Sequence, residues 1–243
     1  MSQGSLGMVE VPLSVVDRIK EYILLGRLAP GDPMPTEKEL SEQLGVSRSG
    51  VREAMKTLSA LDIVEVRHGY GTYVGRMRLT AMVQSLAFRG MLNANADQHV
   101  LADLIDVREL IETSLAATIV TGLSPQAALT LRRLTLTMRE KAELGQEFRA
   151  EDREFHLLLV QTTGNALAVE LTGAFWDVHA IAYGSLGPVP DLHDTAQDHT
   201  AILDAIEQGD PDLFRHAIRE HYAPIRARMV QQRPTLDAST PEE

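Results

Sequence analysis

Four side chains in the second half of the chain have the types and spacing of metal ligands. Asp152 and His156 are four residues apart, which places both on one face of a helix, and His199 and His221 lie on two later predicted helices. One carboxylate and three imidazoles would form a site for zinc or another divalent first-row ion, with nickel and manganese as alternatives, and would leave positions open for a ligand. Spacing alone leaves a second interpretation open. Asp152 and His156 could be a surface pair, His199 could be a polar residue at the N-terminus of a helix, and His221 could be a core histidine.

Arginines in the first part of the chain have the spacing of DNA base readers. Arg48 and Arg52 are also four residues apart on a predicted helix, and an arginine fork can bind O6 and N7 of guanine. Further candidates for contacts to phosphates, nearby bases or the minor groove are Lys38, Ser47, Ser49, His68 and Gly69. Each of these residues taken singly could be a solvated polar position on a small helical domain, but their order along the chain favours DNA binding.

The elements around these residues predict a winged helix-turn-helix. Apolar residues at helical spacing predict helices over 11–26, 36–44 and 48–60. Thr36 and Glu39 can form a capping box, and Ser47 can cap the third helix after a short turn at Gly45. An alternating β-branched stretch over 63–67, a glycine-containing turn and a return over 72–74 predict a hairpin, which would be the wing. The third helix would then enter the major groove.

The rest of the chain is predicted to be almost wholly helical. Helices are expected over 79–92, 99–121, 125–144, 148–163, 167–183, 194–208 and 211–232. Breaks are expected at 93–97, 122–124, 164–165, 184–190 and 209–210. The predicted organisation is therefore a DNA-binding domain over residues 1–78, a helical domain over 79–232 and a disordered tail over 233–243.

Composition narrows the classes of function. The 243-residue chain has no cysteine, which excludes disulfides, thiolate metal sites and cysteine nucleophiles. Its net charge of −11 lies wholly in residues 79–243, because residues 1–78 have ten basic and ten acidic side chains and can still present a basic face to phosphates. No apolar run approaches the ~18 residues of a membrane span, and the first ten residues lack the pattern of a signal peptide, so a cytoplasmic protein is expected.

Three stretches of the first domain resemble the DNA-binding domain of the GntR family of bacterial transcription regulators. They read GDPMPTEKEL from Gly31, LGVSRSGVREA from Leu44 and HGYGTYV from His68. The resemblance implies operator contacts from Lys38, Arg48, Arg52 and Gly69. The family usually has arginine at the position of Lys38, and because lysine lacks the bidentate fork, a phosphate contact is implied there.

Residues 101–229 resemble the FCD effector domain, which defines the FadR-like subgroup of that family. The stretches that carry the resemblance are VRELIE from Val107, DREFH from Asp152 with TGN from Thr163, DHTAILDAI from Asp198 with Gly209-Asp210, and finally His221. The resemblance implies an antiparallel bundle of six or seven helices inside which a metal ion is bound by Asp152, His156, His199 and His221.

The same resemblance implies where an effector would bind. Arg108 matches an arginine that often faces the FCD cavity, and it would bind a small carboxylate together with the metal, with amide hydrogen bonds from Asn165. Two alternatives stay open for these residues. Arg108 could instead form an ion pair with Glu112 or Asp152, and Asn165 could be a C-cap or turn residue in the Gly-Asn break.

The sequence thus predicts a homodimeric repressor that binds double-stranded operator DNA and whose operator affinity is modulated by a small carboxylate at a metal site. Two other functions remain open at this point. The four ligands could activate water in a metal-dependent hydrolase, or the metal of a regulator could be structural or be itself the signal.

Overall fold

The computed structural model describes residues 13–92, 98–182 and 191–231, and in these it has eleven helices and a two-stranded sheet. Two compact units divide between Ala81 and Met82. The elements that begin in the first unit are α1 (Val15–Leu25), α2 (Glu37–Leu44), α3 (Arg48–Ala60), β1 (Val64–Arg67), β2 (Gly71–Val74) and α4 (Thr80–Leu92). Those of the second unit are α5 (Gln98–Ser114), α6 (Ala116–Gly122), α7 (Pro125–Glu143), α8 (Arg149–Gln161), α9 (Ala166–Ala182), α10 (Leu192–Glu207) and α11 (Pro211–Gln231).

Local hydrogen bonds fix the ends of the helix-turn-helix. The Thr36 side chain accepts from the Glu39 N–H, and the Glu39 carboxylate accepts from the Thr36 N–H, so the predicted capping box is present. Gly45 ends α2 in the left-handed conformation, with φ of 63°. Ser47 then begins α3 by accepting the N–H of Gly50 at 3.1 Å. The winged helix-turn-helix prediction is confirmed.

The wing has a neighbour that the sequence did not predict. β1 and β2 pair in antiparallel fashion, with Val64 opposite Val74 and Arg67 opposite Gly71. Residues 31–34, for which the sequence predicted no strand, lie along the other edge of β2, where the Met34 N–H donates to the Thr72 carbonyl at 2.8 Å. This pairing satisfies backbone groups of β2 that the hairpin alone would leave to water.

One apolar cluster joins the elements of the first unit. It is formed by side chains of α1, α2, α3, both strands and the segment 31–34: Ile19, Ile23, Met34, Leu40, Val51, Ala54, Met55, Leu58, Val64 and Val74. Burial of one face of α3 in this cluster leaves its polar face exposed to solvent. The exposed face is the one that carries the arginines.

The second unit is all-helical in its described residues, as predicted, and its seven helices α5 to α11 agree with the six or seven expected. The segment predicted as one helix over 99–121 is two helices, because Leu115 has φ of −89° and ψ of 2° and no side chain caps the start of α6. The breaks predicted at 93–97 and 184–190 and the tail at 233–243 lie outside the described residues. Among the described helices, none is long and apolar enough to cross a bilayer.

Helices α5, α8, α10 and α11 of the second unit supply the charged and imidazole side chains of the site. α11 packs against α10 and α5, and α8 packs against α7 and α9. Fully buried side chains such as Phe155, Ile202 and Tyr222 fill the spaces next to the polar cluster. The site is therefore built on packed helices rather than on loops.

Candidate metal centre and nucleic-acid interface

The four predicted metal ligands converge in the second unit. Asp152 and His156 lie one turn apart on α8, His199 is on α10 and His221 is on α11. One potential ligand atom from each residue lies within 4.8 Å of the others. Asp152 Oδ1 is 3.0 Å from His199 Nε2, and His156 Nε2 is 3.2 Å from His221 Nε2. The imidazoles of His156 and His199, which are the two rings nearest Asp152, are fully buried.

Hydrogen bonds on the far side of two rings orient them toward the cluster. His199 Nδ1 donates to the Thr195 carbonyl at 2.7 Å, so its Nε2 faces Asp152. His156 Nδ1 lies 2.9 and 3.0 Å from the two carboxylate oxygens of Glu112 on α5. Outer partners of this kind are usual for histidines that bind metals. Sequence reasoning considered Glu112 only as a partner for Arg108, and its separation of 44 residues from His156 gave no signal of this contact.

The charges of the cluster suit a cation. Burial would lower the pKa of His156, but the charge of Glu112 and hydrogen bonds with Asp152 and Glu112 raise that pKa to about 9. Burial also disfavours ionised Asp152, yet the charge of His199 and hydrogen bonds from two rings hold the pKa of Asp152 well below its usual value. Burial and the charges of the two other histidines depress the pKa of His221, which favours the neutral ring that a metal needs.

The donor set fits a divalent metal ion. Three imidazole nitrogens and one carboxylate oxygen are ligands that zinc, nickel and manganese accept. Among the described residues the buried His221 Nδ1 has no hydrogen-bond partner, and Asp198 Oδ2 is 3.9 Å away from it. The ring of His221 is therefore not committed to another role in the described part of the chain.

Arg108 is a buried cation beside the cluster. Its residue exposure is 3%, and its guanidinium lies 3.9 Å over the ring of Trp176 and 5.2 Å from the ring centre of Tyr222. Its Nε has no hydrogen-bond partner, and no ion pair with Glu112 or Asp152 is found within the described residues. The ion-pair alternative raised from the sequence is therefore wrong. Aromatic faces stabilise the guanidinium only in part, since buried charges normally require an anionic partner.

Asn165 is placed elsewhere. Its side chain is exposed, and its Oδ1 accepts from the Ala168 N–H at 3.1 Å at the start of α9. It makes no hydrogen bond to the four potential metal ligands within the described residues. Asn165 is thus a helix cap, the alternative considered for it, although at the start of α9 rather than at the end of α8.

The predicted base readers are exposed on α3. Arg48 and Arg52 point away from the apolar cluster, and Arg52 Nε lies 3.2 Å from Glu37 Oε2 on α2. Lys38 is exposed on α2, and its nearest acidic partner is Glu42 at 4.0 Å. Ser47 and Ser49 lie together at the start of α3, where their hydroxyls are 3.1 Å apart.

The wing presents its turn to solvent. His68, Gly69 and Tyr70 are exposed, and Gly69 has φ of 79°, a conformation that a side chain at this position would strain. The Tyr73 hydroxyl donates to the Tyr70 carbonyl at 3.1 Å, which holds the turn against β2. A rigid tip with a bare backbone can approach a nucleic-acid groove closely.

Two family models match the chain. The model described as "Bacterial regulatory proteins, gntR family" matches residues 13–74, and the model described as "FCD domain" matches residues 103–224. The chain belongs to the GntR family. Its helix-turn-helix thus lies in the region that matches the gntR model, and its four potential metal ligands lie in the region that matches the FCD model.

Known relatives agree with this assignment. The GntR-family chain is 27% identical over 219 residues to the Uxu operon regulator of Haemophilus influenzae, covering 88% of this chain and 79% of that protein. It is 22% identical over 205 residues to the galactonate operon transcriptional repressor of Escherichia coli, covering 84% and 90%. A solved structure of Streptococcus agalactiae GntR superposes with a TM-score of 0.65 at 26% identity, covering 88% of this chain and 97% of that one. The chain is accordingly a transcription regulator.

Proposed function

We propose that the chain is a homodimeric repressor of the FadR-like subgroup whose affinity for operator DNA is modulated by a small carboxylate bound between a metal ion and Arg108. The observation that carries this proposal is the buried guanidinium of Arg108 beside four potential metal ligands, which has no ion-pair partner among the described residues and an unbonded Nε. A ligand carboxylate would supply the missing negative charge and could bridge the cation and the metal.

The metal is proposed to be zinc, with nickel and manganese as alternatives. Asp152, His156, His199 and His221 would hold it, and a bound ion would supply a Lewis-acidic site for an anionic ligand. The chain's own contribution is to orient the rings through Glu112 and Thr195 and to keep Arg108 available.

The class of effector follows from this chemistry. A metal and a guanidinium stacked on two aromatic rings suit an anion with a compact apolar or hydroxylated body. Galactonate, which appears in the name of one relative, is a small hydroxycarboxylate and belongs to this class. We therefore propose hydroxy acids, dicarboxylates and sugar acids as the first compounds to test.

On the DNA side, Arg48 and Arg52 of each protomer would read the major groove of one half-site, with Lys38, Ser47 and Ser49 at phosphates or nearby bases and His68 and Gly69 in the minor groove. Effector binding would alter operator affinity only as far as the effector binds the two arrangements of the dimer unequally. Since its partner is operator DNA, we place the regulator in the cytoplasm.

We propose sensing rather than catalysis for the metal site. A hydrolase would need a free general base beside its metal-bound water. Asp152 is itself a member of the cluster, and Glu112 is already bonded to His156 and Tyr222. Neither of these two carboxylates is free for that role, which leaves Asp198, 3.9 Å from His221 Nδ1, as the carboxylate to test for it.

The deciding experiment measures binding to a duplex that the wild-type chain selects from a random library. Zinc is present, and carboxylates are added one class at a time. We expect one class to change the wild-type dissociation constant by roughly 5- to 150-fold, the usual range of allosteric coupling. Arg108→Ala should lose this response, whereas Arg133→Ala, on the exposed face of α7, should keep it. If zinc stabilises the fold but no acid changes operator affinity, the metal is structural and the sensor proposal is wrong.

A further inference from the structure

Glu112 is a buried carboxylate with two committed partners. It is 1% exposed on α5, and both its oxygens lie within 3.0 Å of His156 Nδ1. Its Oε1 also accepts from the Tyr222 hydroxyl at 3.1 Å. A buried carboxylate is costly unless hydrogen bonds satisfy it, and here an imidazole N–H and a phenol do so.

The choice of partner is informative because a stronger one is nearby. Arg108 lies one turn earlier on the same helix, yet within the described residues Glu112 forms no ion pair with it. The hydroxyl of Tyr222, on α11, donates instead to Glu112 Oε1. Glu112 is thus held toward His156 by α11 rather than drawn toward Arg108.

The contact determines what the other ring nitrogen can do. Because an ionised carboxylate can only accept, His156 Nδ1 must donate. In the neutral ring Nε2 then carries the lone pair, and Nε2 is the atom that faces Asp152 at 3.3 Å and His221 at 3.2 Å. A neutral ring with the opposite tautomer would present an N–H to the cluster and could not bind a cation.

We propose that Glu112 is a positioning residue of the metal centre, which fixes the tautomer and orientation of His156 and is itself held by Tyr222. The inference rests on the metal site proposed above. Glu112 acts through His156 and contributes no ligand atom.

The test compares pH-independent zinc dissociation constants of the full chain, obtained by competition with a chromophoric chelator over a range of pH so that proton competition at His156 is removed. Glu112→Leu removes both acceptors at similar volume and should weaken zinc binding about 10- to 100-fold, the usual effect of losing an outer-shell partner. Glu112→Gln keeps one acceptor oxygen without the charge, and Tyr222→Phe keeps the carboxylate without its anchor, so both should show smaller losses. The matched control is Glu109→Gln on the same helix, since Glu109 pairs with Arg226 outside the cluster, and its zinc affinity should be unchanged.

A second readout separates positioning from general destabilisation. Nitrogen-15 NMR of the zinc-loaded wild type should show His156 protonated at Nδ1 and metal-bound at Nε2, and cobalt-loaded Glu112→Gln should show an altered visible absorption spectrum. If Glu112→Leu does not fold, Glu112→Gln decides the matter by both readouts. Glu112 variants that bind zinc as tightly as Glu109→Gln, with an unchanged cobalt spectrum, would overturn the role of Glu112 alone. A wild-type chain that binds neither zinc, nickel nor manganese would overturn the proposed metal site itself.

Discussion

The guanidinium of Arg108 lies 3.9 Å above the ring of Trp176, which is the single tryptophan of the chain. Trp176 is also a neighbour of the four potential metal ligands, with its ring centre 5.8 Å from that of His156. Intrinsic tryptophan fluorescence therefore reports directly on the proposed effector site.

We expect an effector carboxylate to change the emission of Trp176 in zinc-loaded protein, because it would alter the charge and position of the stacked Arg108. Arg108→Ala should abolish this change, and Arg108→Lys should weaken it since lysine lacks the planar fork. The measurement is a fluorescence titration with each class of acid. Identical titrations of wild type and Arg108→Ala would place the effector away from this arginine.

Removal of one ligand should uncouple zinc from the stability of the fold. Zinc at 100 times its dissociation constant should raise the free energy of unfolding of the wild type by about 2.7 kcal/mol. His199→Ala should lose most of this increase because one of four ligands is gone. Thermal unfolding with and without zinc measures the effect, and His216→Ala, exposed on α11, is the control that should respond as wild type does. A full zinc response in His199→Ala would contradict the four-ligand assignment.

Zinc binding should release a proton from His156 at neutral pH. With a pKa raised to about 9 in the metal-free protein, the ring is protonated at pH 7 and must lose its proton to bind a metal. Apparent zinc affinity should therefore fall about tenfold for each pH unit below 9. Calorimetric titration in buffers of different ionisation enthalpy measures the proton release, and an affinity independent of pH from 7 to 9 would be inconsistent with it.

The raised pKa of His156 also predicts how the stability of the metal-free protein depends on pH. A pKa that is higher in the folded state than in the unfolded chain stabilises the fold fully below the unfolded value of 6.5. That stabilisation is lost as the pH rises through about 9. Urea unfolding of metal-free protein should therefore show a decline in the free energy of unfolding between pH 6.5 and 9, and zinc-loaded protein should show less of it.

Arg48→Ala and Arg52→Ala should each lose operator specificity while the fold remains intact. Both side chains are exposed, so their loss leaves the apolar cluster unchanged, and each bidentate contact to guanine contributes about 1–3 kcal/mol of discrimination. Competition between the selected duplex and random DNA measures specificity. Lys56→Ala, exposed on the same helix, is the control. Retention of full specificity by both arginine variants would rule out the proposed docking of α3.

Asn165→Ala should destabilise the fold without changing effector binding. Loss of a side-chain cap costs about 1 kcal/mol, and the side chain of Asn165 caps α9. Asn165→Asp, which preserves the cap, should be nearly as stable as wild type. A loss of effector affinity in both variants at unchanged stability would instead return Asn165 to the effector site.

The sequence by itself determined the features that depend on neighbouring residues. The capping box of Thr36 and Glu39, the left-handed Gly45 and the cap at Ser47 are hydrogen bonds or backbone conformations within a few residues, so the helix-turn-helix was predictable from local pattern. The one-turn separation of Asp152 and His156 is equally local, because helix geometry alone puts both on one face.

Only the tertiary structure decided the contacts between distant parts of the chain. Asp152 meets His199 across 47 residues, His156 meets Glu112 across 44, and the pairing of residues 31–34 with β2 joins segments about 40 residues apart. Such contacts depend on how buried helix faces and strand edges pack, and helical periodicity carries no information about which buried faces meet. For that reason the sequence indicated Arg108 and Glu112 as possible partners of each other. In the packed structure Glu112 instead contacts His156 and Tyr222, and Arg108 stacks on Trp176.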